Sequence, residues 1–156
     1  MRNNKSVSLC LGMLSAFVLA FTALPAMAAQ TFQAYEIGGV PTFTGNGGPG
    51  STITVQAVLY DPANHSVAIG AKYEWCVITS YTPEGHPLLW CAEALGFTGK
   101  GVLFAAGTLD EALIEAYQPQ SLPVVAGIGR YAGKTGTETI QQVVFPNEFL
   151  LTISLH

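Results

Sequence analysis

The chain has few charged residues, and basic residues are the scarcest. Only 10% of its 156 residues are Asp, Glu, Lys or Arg, and 6 Lys and Arg stand against 10 Asp and Glu. So little positive charge argues against nucleic acid and anionic membrane surfaces as partners, because both bind basic patches. Few charges on a chain that is 49% hydrophobic indicate much buried surface, in subunit contacts or around an apolar cavity.

Residues with metal-binding or nucleophilic chemistry are also few. The histidines, His65, His86 and His156, lie at turn or terminal positions without metal-ligand spacing. No serine lies in a Gly-x-Ser-x-Gly motif, which argues against a serine hydrolase. The glycine-rich turn Gly127–Gly133 precedes strand-like residues, whereas phosphate-binding loops precede a helix. We therefore expect no metal and no cofactor.

The first 28 residues are typical of a secretory signal. Arg2 and Lys5 precede the apolar core Val7–Leu24, and a small-x-small cleavage site ends at Ala28. Cleavage there leaves residues 29–156 as a single domain in a secreted or periplasmic protein. No later stretch reaches membrane-spanning length, so we expect no membrane insertion of the mature chain.

Short runs of β-branched and aromatic residues, separated by turn residues, predict an all-β domain. Gly38–Gly50 is predicted as a loop and Asp110–Tyr117 as the one helix-like stretch. About eight strands at this spacing predict an antiparallel barrel or sandwich. The predicted strands are a run from near Thr31 to Glu36, Thr52–Tyr60, Val67–Tyr81, Leu88–Phe97, Val102–Ala106, Leu122–Ala126, Thr135–Phe145 and Glu148–Leu155.

Two cysteines remain after the predicted cleavage, Cys76 and Cys91, on either side of the turn Thr82–Gly85. If the strands pair symmetrically about this turn, opposed residues have numbers that sum to 167, and the two cysteines face each other. Cross-strand neighbours have Cβ separations of roughly 4–5.5 Å, close to those of a disulfide. We therefore predict a disulfide in an exported protein, although a bulge at Gly85 would shift the register by one.

The same register sets Glu74 opposite Glu93, on the face that carries the cysteines. Leu89 and Leu95 share this face by strand alternation. Two carboxylates buried in contact share a proton, because like charges disfavour each other. Two interpretations are open: an acid/base pair in a cavity, or a solvated pair near the mouth of a barrel.

The last third of the chain holds a glycine turn, a Gln-Gln motif and a final apolar strand. The turn carries Gly127, Gly129, Tyr131 and Gly133; Gln-Gln-Val-Val-Phe-Pro ends at Pro146, and Phe149–Leu155 follows. This pattern resembles the end of plant allene oxide cyclases. Dirigent proteins share the fold and the glycine turn but lack the Gln-Gln run. The resemblance extends back to about Tyr35 and implies an eight-stranded antiparallel β-barrel.

The resemblance also implies site residues. Tyr35-Glu36-Ile37-Gly38 matches the run whose glutamate helps to polarise the family's substrate, which implies a catalytic role for Glu36. Glu74–Ile78 matches the strand whose cysteine lines the family's cavity, which implies a catalytic role for Cys76 unless a disulfide removes its thiol. Gly38 and Ala57 stand where the family has asparagines that help to hold a catalytic water.

Two functions follow from the resemblance. The first is a cyclase or isomerase that folds an apolar small molecule, for example a lipid-derived one, inside the barrel cavity. The alternative is a secreted carrier or dirigent-like protein that binds a hydrophobic small molecule without chemistry of its own.

The tryptophans Trp75 and Trp90 fall on the strand face opposite the cysteines. The resemblance implies that a homotrimer covers this face. The alternative is that the predicted helix Asp110–Tyr117 partly covers it.

Overall fold

The computed structural model describes residues Ala29–His156, and the predicted signal lies outside this part of the chain. Between these residues the chain forms nine strands and one short helix, α1 (Glu111–Glu115). Within residues 29–156, no helix is long and apolar enough to cross a membrane. The strands are β1 (Gln30–Gly38), β2 (Thr42–Thr44), β3 (Thr52–Asp61), β4 (Asn64–Tyr81), β5 (Pro87–Phe97), β6 (Gly101–Asp110), β7 (Gln120–Gly129), β8 (Gly136–Val144) and β9 (Glu148–Leu155).

Eight of the strands close into an antiparallel barrel, which confirms the predicted fold class. The sheet runs in the order β1-β9-β8-β7-β6-β5-β4-β3-β2, and β1 also pairs with β3. That pairing, which sets Tyr35 opposite Tyr60, joins the two ends of the sheet. Closure leaves the eight barrel strands without a free edge.

The strand outside the barrel, β2, corrects one expectation. Gly38–Gly50 was predicted to be a loop because of its glycines, but it contains the short strand β2. The alternating Thr42, Phe43 and Thr44 pair with the start of β3, and the hydroxyls of Thr44 and Thr52 are in hydrogen-bond contact. Short β-branched residues suit such an edge strand, so pairing outweighs the surrounding glycines.

The barrel interior is apolar at one end and ends in an aromatic cluster. The rings of Phe32 and Phe97 lie 5.3 Å apart, and Tyr131 lies 6.0 Å from Phe32 and 5.8 Å from Phe97. Leucines and isoleucines behind them, including Leu95 and Ile153, are fully buried. This packing fills the end of the barrel that holds the C-terminus of β5, which we call the closed end.

The β4–β5 hairpin contains two irregularities that cancel. At the turn, Gly85 has a positive φ of 92° and its N–H donates to the carbonyl of Thr82 at 2.9 Å. Next to the turn the register is shifted by one, since Ser80 pairs with Leu88. A bulge between Ile78 and Ser80 then restores the predicted register for the rest of the hairpin.

Candidate functional site

A cavity of about 280 Å³ lies at the end of the barrel opposite the aromatic cluster. Ligand pockets typically span about 300–1,000 Å³, so this cavity lies just below the small end of that range and has room for a small molecule only. Its wall and mouth are mostly apolar, and its polar side chains are carboxylates, one amine and one amide. The lining residues are Glu36, Pro41, Phe43, Ile53, Val55, Lys72, Glu74, Cys76, Leu89, Leu109, Glu111, Ile114, Glu115, Ile140, Gln142, Phe145, Pro146 and Phe149.

A buried lysine holds the carboxylates of the cavity together. Lys72 Nζ lies 2.9 Å from Glu36 Oε2 and 2.8 Å from Glu74 Oε2. It also lies 3.6 Å from Glu93 Oε2, on the neighbouring strand. Strands β1, β4 and β5 thus converge on one ammonium group, and the Lys72 side chain is only 3% exposed.

Lys72 remains charged in spite of its burial. Burial alone lowers the pKa of a lysine, but Glu36, Glu74, Glu93 and Glu138 raise it more, so the pKa of Lys72 lies well above its ordinary value. Burial also raises the pKa of Glu36, and the ammonium of Lys72 partly opposes that rise. The cavity therefore has a permanent ammonium next to a carboxyl group that can gain or lose a proton.

Two further carboxyl groups lie in the interior, and the structure favours their neutral form. Burial raises the pKa of Glu138 to about 8. Burial, and then repulsion from Glu138, raise the pKa of Glu93 well above its ordinary value. No hydrogen-bond partner reaches the oxygens of either carboxyl group. One ammonium cannot balance four carboxylates in a low-dielectric interior, so Glu93 and Glu138 retain protons near neutral pH.

The two cysteines form the predicted disulfide. Cys76 pairs directly with Cys91 in the hairpin register, and their sulfur atoms are bonded at 2.08 Å. The bond consumes the thiol of Cys76, which corrects the expectation that Cys76 is a catalytic residue. Its Sγ lies 3.0 Å from Glu74 Oε1 and forms part of the cavity wall. Glu74 and the two cysteines are close enough to share a metal ion, but the disulfide leaves no thiolate to bind it.

The other residues expected at the cavity form two groups, one in the cavity wall and one buried in the barrel interior. Glu36, Glu74 and Leu89 line the cavity. Cys91, Glu93 and Leu95 are buried in the barrel interior but are not part of the cavity wall. Glu74 does lie opposite Glu93. The solvated interpretation is wrong for Glu93, because it is only 2% exposed and Lys72 lies beside it.

Sequence reasoning missed three polar residues of the interior, Lys72, Glu138 and Gln142. Strand alternation contained the signal. Lys72 is two positions before Glu74 on a predicted strand, and Glu138 and Gln142 flank the buried Ile140 at the same spacing. Polar residues on a strand are ordinarily assigned to the outer face, which hid them.

The outer face of β4, β5 and β6 carries exposed aromatic residues. Trp75 and Trp90 pack edge to face at 6.1 Å and are 36% and 40% exposed. Tyr73 and Phe104 extend this apolar outer face. The helix leaves both tryptophans exposed, and its residues Glu111 and Ile114 line the cavity.

Comparison with known proteins gives one family and a set of similar folds. Residues 49–155 match the family model described as "Allene oxide cyclase barrel like domain". No curated protein matches the chain. Among solved structures, a pyocyanin demethylase has a TM-score of 0.68 at 19% identity, with 81% of this chain and 100% of that chain covered.

Two further solved structures represent different uses of this fold. AbnU, an exo-specific intermolecular Diels-Alderase, has a TM-score of 0.69 at 18% identity, with 82% of this chain and 98% of that chain covered. The pterocarpan synthase dirigent protein PsPTS1 has a TM-score of 0.62 at 12% identity, with 83% and 94% covered. At such identities the likeness shows the fold alone.

Proposed function

Because the chain belongs to the allene oxide cyclase barrel-like domain family, we propose that it is a cyclase or isomerase acting on an apolar small molecule in the barrel cavity. One observation carries the proposal. Glu36 and Glu74 are held by Lys72 in the wall of a mostly apolar cavity. Buried ionisable groups in a concave apolar site are the usual setting of acid/base catalysis.

The cavity and Glu36 have separate tasks in this proposal. The apolar wall confines the substrate so that its reacting atoms meet, which removes much of the entropic barrier to ring closure. Glu36 accepts a proton or stabilises developing positive charge, and its effect is strong because its carboxyl group is buried. An isomerisation needs no net proton, so a proton taken by Glu36 from one substrate atom returns at another.

Lys72 is the group that positions Glu36. Gly38 and Ala57, which stand where the family has asparagines, pair with each other, and Ala57 also pairs with Lys72. Glycine has no side chain and alanine has only a methyl group, so neither brings an amide towards Glu36. The ammonium of Lys72 is therefore the polar partner of Glu36, and it holds the carboxylate in place without the asparagines of the family.

A carrier or dirigent-like role is the second candidate. The disulfide favours it, because the cavity-lining sulfur of Cys76 is no longer a reactive thiol. The dirigent protein PsPTS1 has a similar fold, which fits this second candidate. The Diels-Alderase AbnU has a similar fold too, which fits the first. Both candidates use the same cavity, and they differ in whether Glu36 performs chemistry.

The base activity of Glu36 can be measured without the natural substrate. The probe 5-nitrobenzisoxazole is small and apolar, and it opens to a nitrile and a phenolate when a base removes its ring proton. We expect the protein to accelerate this opening and Glu36→Gln to lower the rate about 10²-fold or more, as for loss of a positioned base.

Matched variants give that assay its control. Glu84→Gln removes an exposed turn carboxylate that does not line the cavity and should leave the rate unchanged. Equal rates for wild type, Glu36→Gln and Glu84→Gln would contradict base catalysis by Glu36 and favour the carrier role.

We also propose that the protein works as an exported homotrimer. The apolar outer face around Trp75 and Trp90 supports assembly, since monomers rarely expose large contiguous apolar patches. The leader-like residues 1–28 and the disulfide support export to an oxidising compartment.

A further inference from the structure

We propose that the cavity accepts an apolar molecule whose polar end is a cation or a hydrogen-bond donor, such as an amine, and discriminates against a carboxylate. This inference rests on the proposed function, because it names the class of molecule for the same cavity.

The charges of the cavity wall are predominantly acidic. Glu36, Glu74, Glu111 and Glu115 line the cavity, and Lys72 is the single basic residue among the described residues that do so. Its ammonium is already in contact with three carboxyl groups. A ligand carboxylate would thus lie among like charges without a free cation, and burying it there is costly.

The mouth of the cavity carries two further acidic residues. Glu111 and Glu115 lie one helical turn apart on α1, and Glu115 raises the pKa of Glu111 after the larger effect of burial. His86 of the β4–β5 turn acts on Glu111 in the opposite direction, but it does not line the cavity. An incoming amine therefore meets acceptors at the mouth as well as on the wall.

Gln142 is an independent indication of the same preference. Its side chain is 3% exposed and lines the cavity, and its Oε1 has no hydrogen-bond partner. A buried acceptor without a donor is unfavourable, and a ligand N–H or O–H would satisfy it. An ionised carboxylate only accepts hydrogen bonds, so it would not.

The other lysines and the arginine of residues 29–156 lie at the end of the barrel opposite the cavity. Lys100 and Arg130 sit in neighbouring turns at the closed end, where the N–H of Arg130 donates to the carbonyl of Lys100 at 2.7 Å. The N–H of Lys134 donates to the carbonyl of Tyr131, which belongs to the aromatic cluster at the same end. Apart from Lys72, the lysines and the arginine of the described residues thus lie at the closed end, and the lining of the open end is mainly acidic.

Three probes of similar size and different charge test the inference. Isothermal titration calorimetry would compare 4-phenylbutylamine, 4-phenylbutanol and 4-phenylbutyrate with the disulfide-bonded protein at neutral pH. We expect the amine to bind at least tenfold more tightly than the carboxylate, with the alcohol between them. Added salt should weaken the amine more than the alcohol, because charges attract less strongly when screened.

Variants assign the preference to named groups. Glu74→Gln and, at the mouth, Glu111→Gln should each reduce the amine-to-carboxylate ratio at least threefold. Gln142→Leu should weaken the alcohol and the amine together. Asp61→Asn is the control, because Asp61 ends β3 at the opposite end from the cavity-lining Ile53 and should leave the ratio unchanged.

The outcomes separate the inference from the function on which it rests. Equal or tighter binding of the carboxylate, or binding of none of the three probes, would overturn the charge preference. A proton-transfer rate that still depends on Glu36 would leave the proposed enzyme intact in either case. If the protein gave no Glu36-dependent proton transfer but still preferred the amine, it would instead be a carrier of cationic apolar molecules.

Discussion

Replacement of Glu138 by glutamine should change how the stability of the protein depends on pH. Glu138 is fully buried, and burial raises its pKa from 4.5 to about 8. The folded state therefore holds a proton that the unfolded chain releases above pH 4.5. Stability from this proton is fully present below that pH and is lost as the pH rises through 8.

The size of the effect follows from the linkage relation. When a group is protonated only in the folded state, each rise of one pH unit lowers the free energy of unfolding by about 1.4 kcal/mol. As the pH rises from 4.5 to 8, the stability that comes from the proton on Glu138 falls by roughly 5 kcal/mol in total. Glutamine has nearly the same shape and cannot ionise, so Glu138→Gln should remove this slope and exceed the wild type in stability at pH 8.

Urea unfolding, followed by the fluorescence of Trp75 and Trp90, measures this difference. Wild type, Glu138→Gln and the control Glu84→Gln would be compared from pH 5 to pH 8 at one protein concentration, with the disulfide intact. Glu84 is exposed, so its variant should follow the wild type. Parallel pH dependence for Glu138→Gln and wild type would show that Glu138 is ionised in the folded state and would refute the reasoning.

Three further predictions concern the disulfide, the lysine and the assembly. Thiol titration of denatured, unreduced protein that lacks residues 1–28 should find no free thiol, and reduction should cost about 3 kcal/mol of stability; two free thiols would contradict the Cys76–Cys91 bond. Lys72→Met should destabilise the protein by about 3–5 kcal/mol at pH 8 and less at pH 5, where Glu138, whose pKa is raised to about 8, is protonated and leaves less unbalanced negative charge; equal losses in urea unfolding at both pH values would argue against this account. Light scattering at low micromolar concentration should give three times the chain mass, and Trp75→Glu should lower it; a monomer mass for the unmodified protein would exclude the trimer.

Local patterns carried most of the fold. The strand-length runs and their glycine turns predicted eight barrel strands because alternation and turn chemistry are local properties. The short strand β2 escaped, since three residues among glycines become a strand only by pairing with β3. The hairpin register was correct at Cys76 and Cys91 even though a bulge intervenes, because the two irregularities of the hairpin cancel.

By itself, the sequence determined the barrel, the disulfide pair and the inward position of Glu36, because each follows from short-range spacing or a family motif. Only the tertiary structure decided what surrounds Glu36. Lys72, Glu74 and Glu93 reach one point from two strands of a hairpin, while Glu36 and Glu138 reach it from strands far along the chain. Burial and the neighbouring charges shift the pKa values of Lys72, Glu36, Glu93 and Glu138, and neither cause is present until closure of the barrel removes these groups from water.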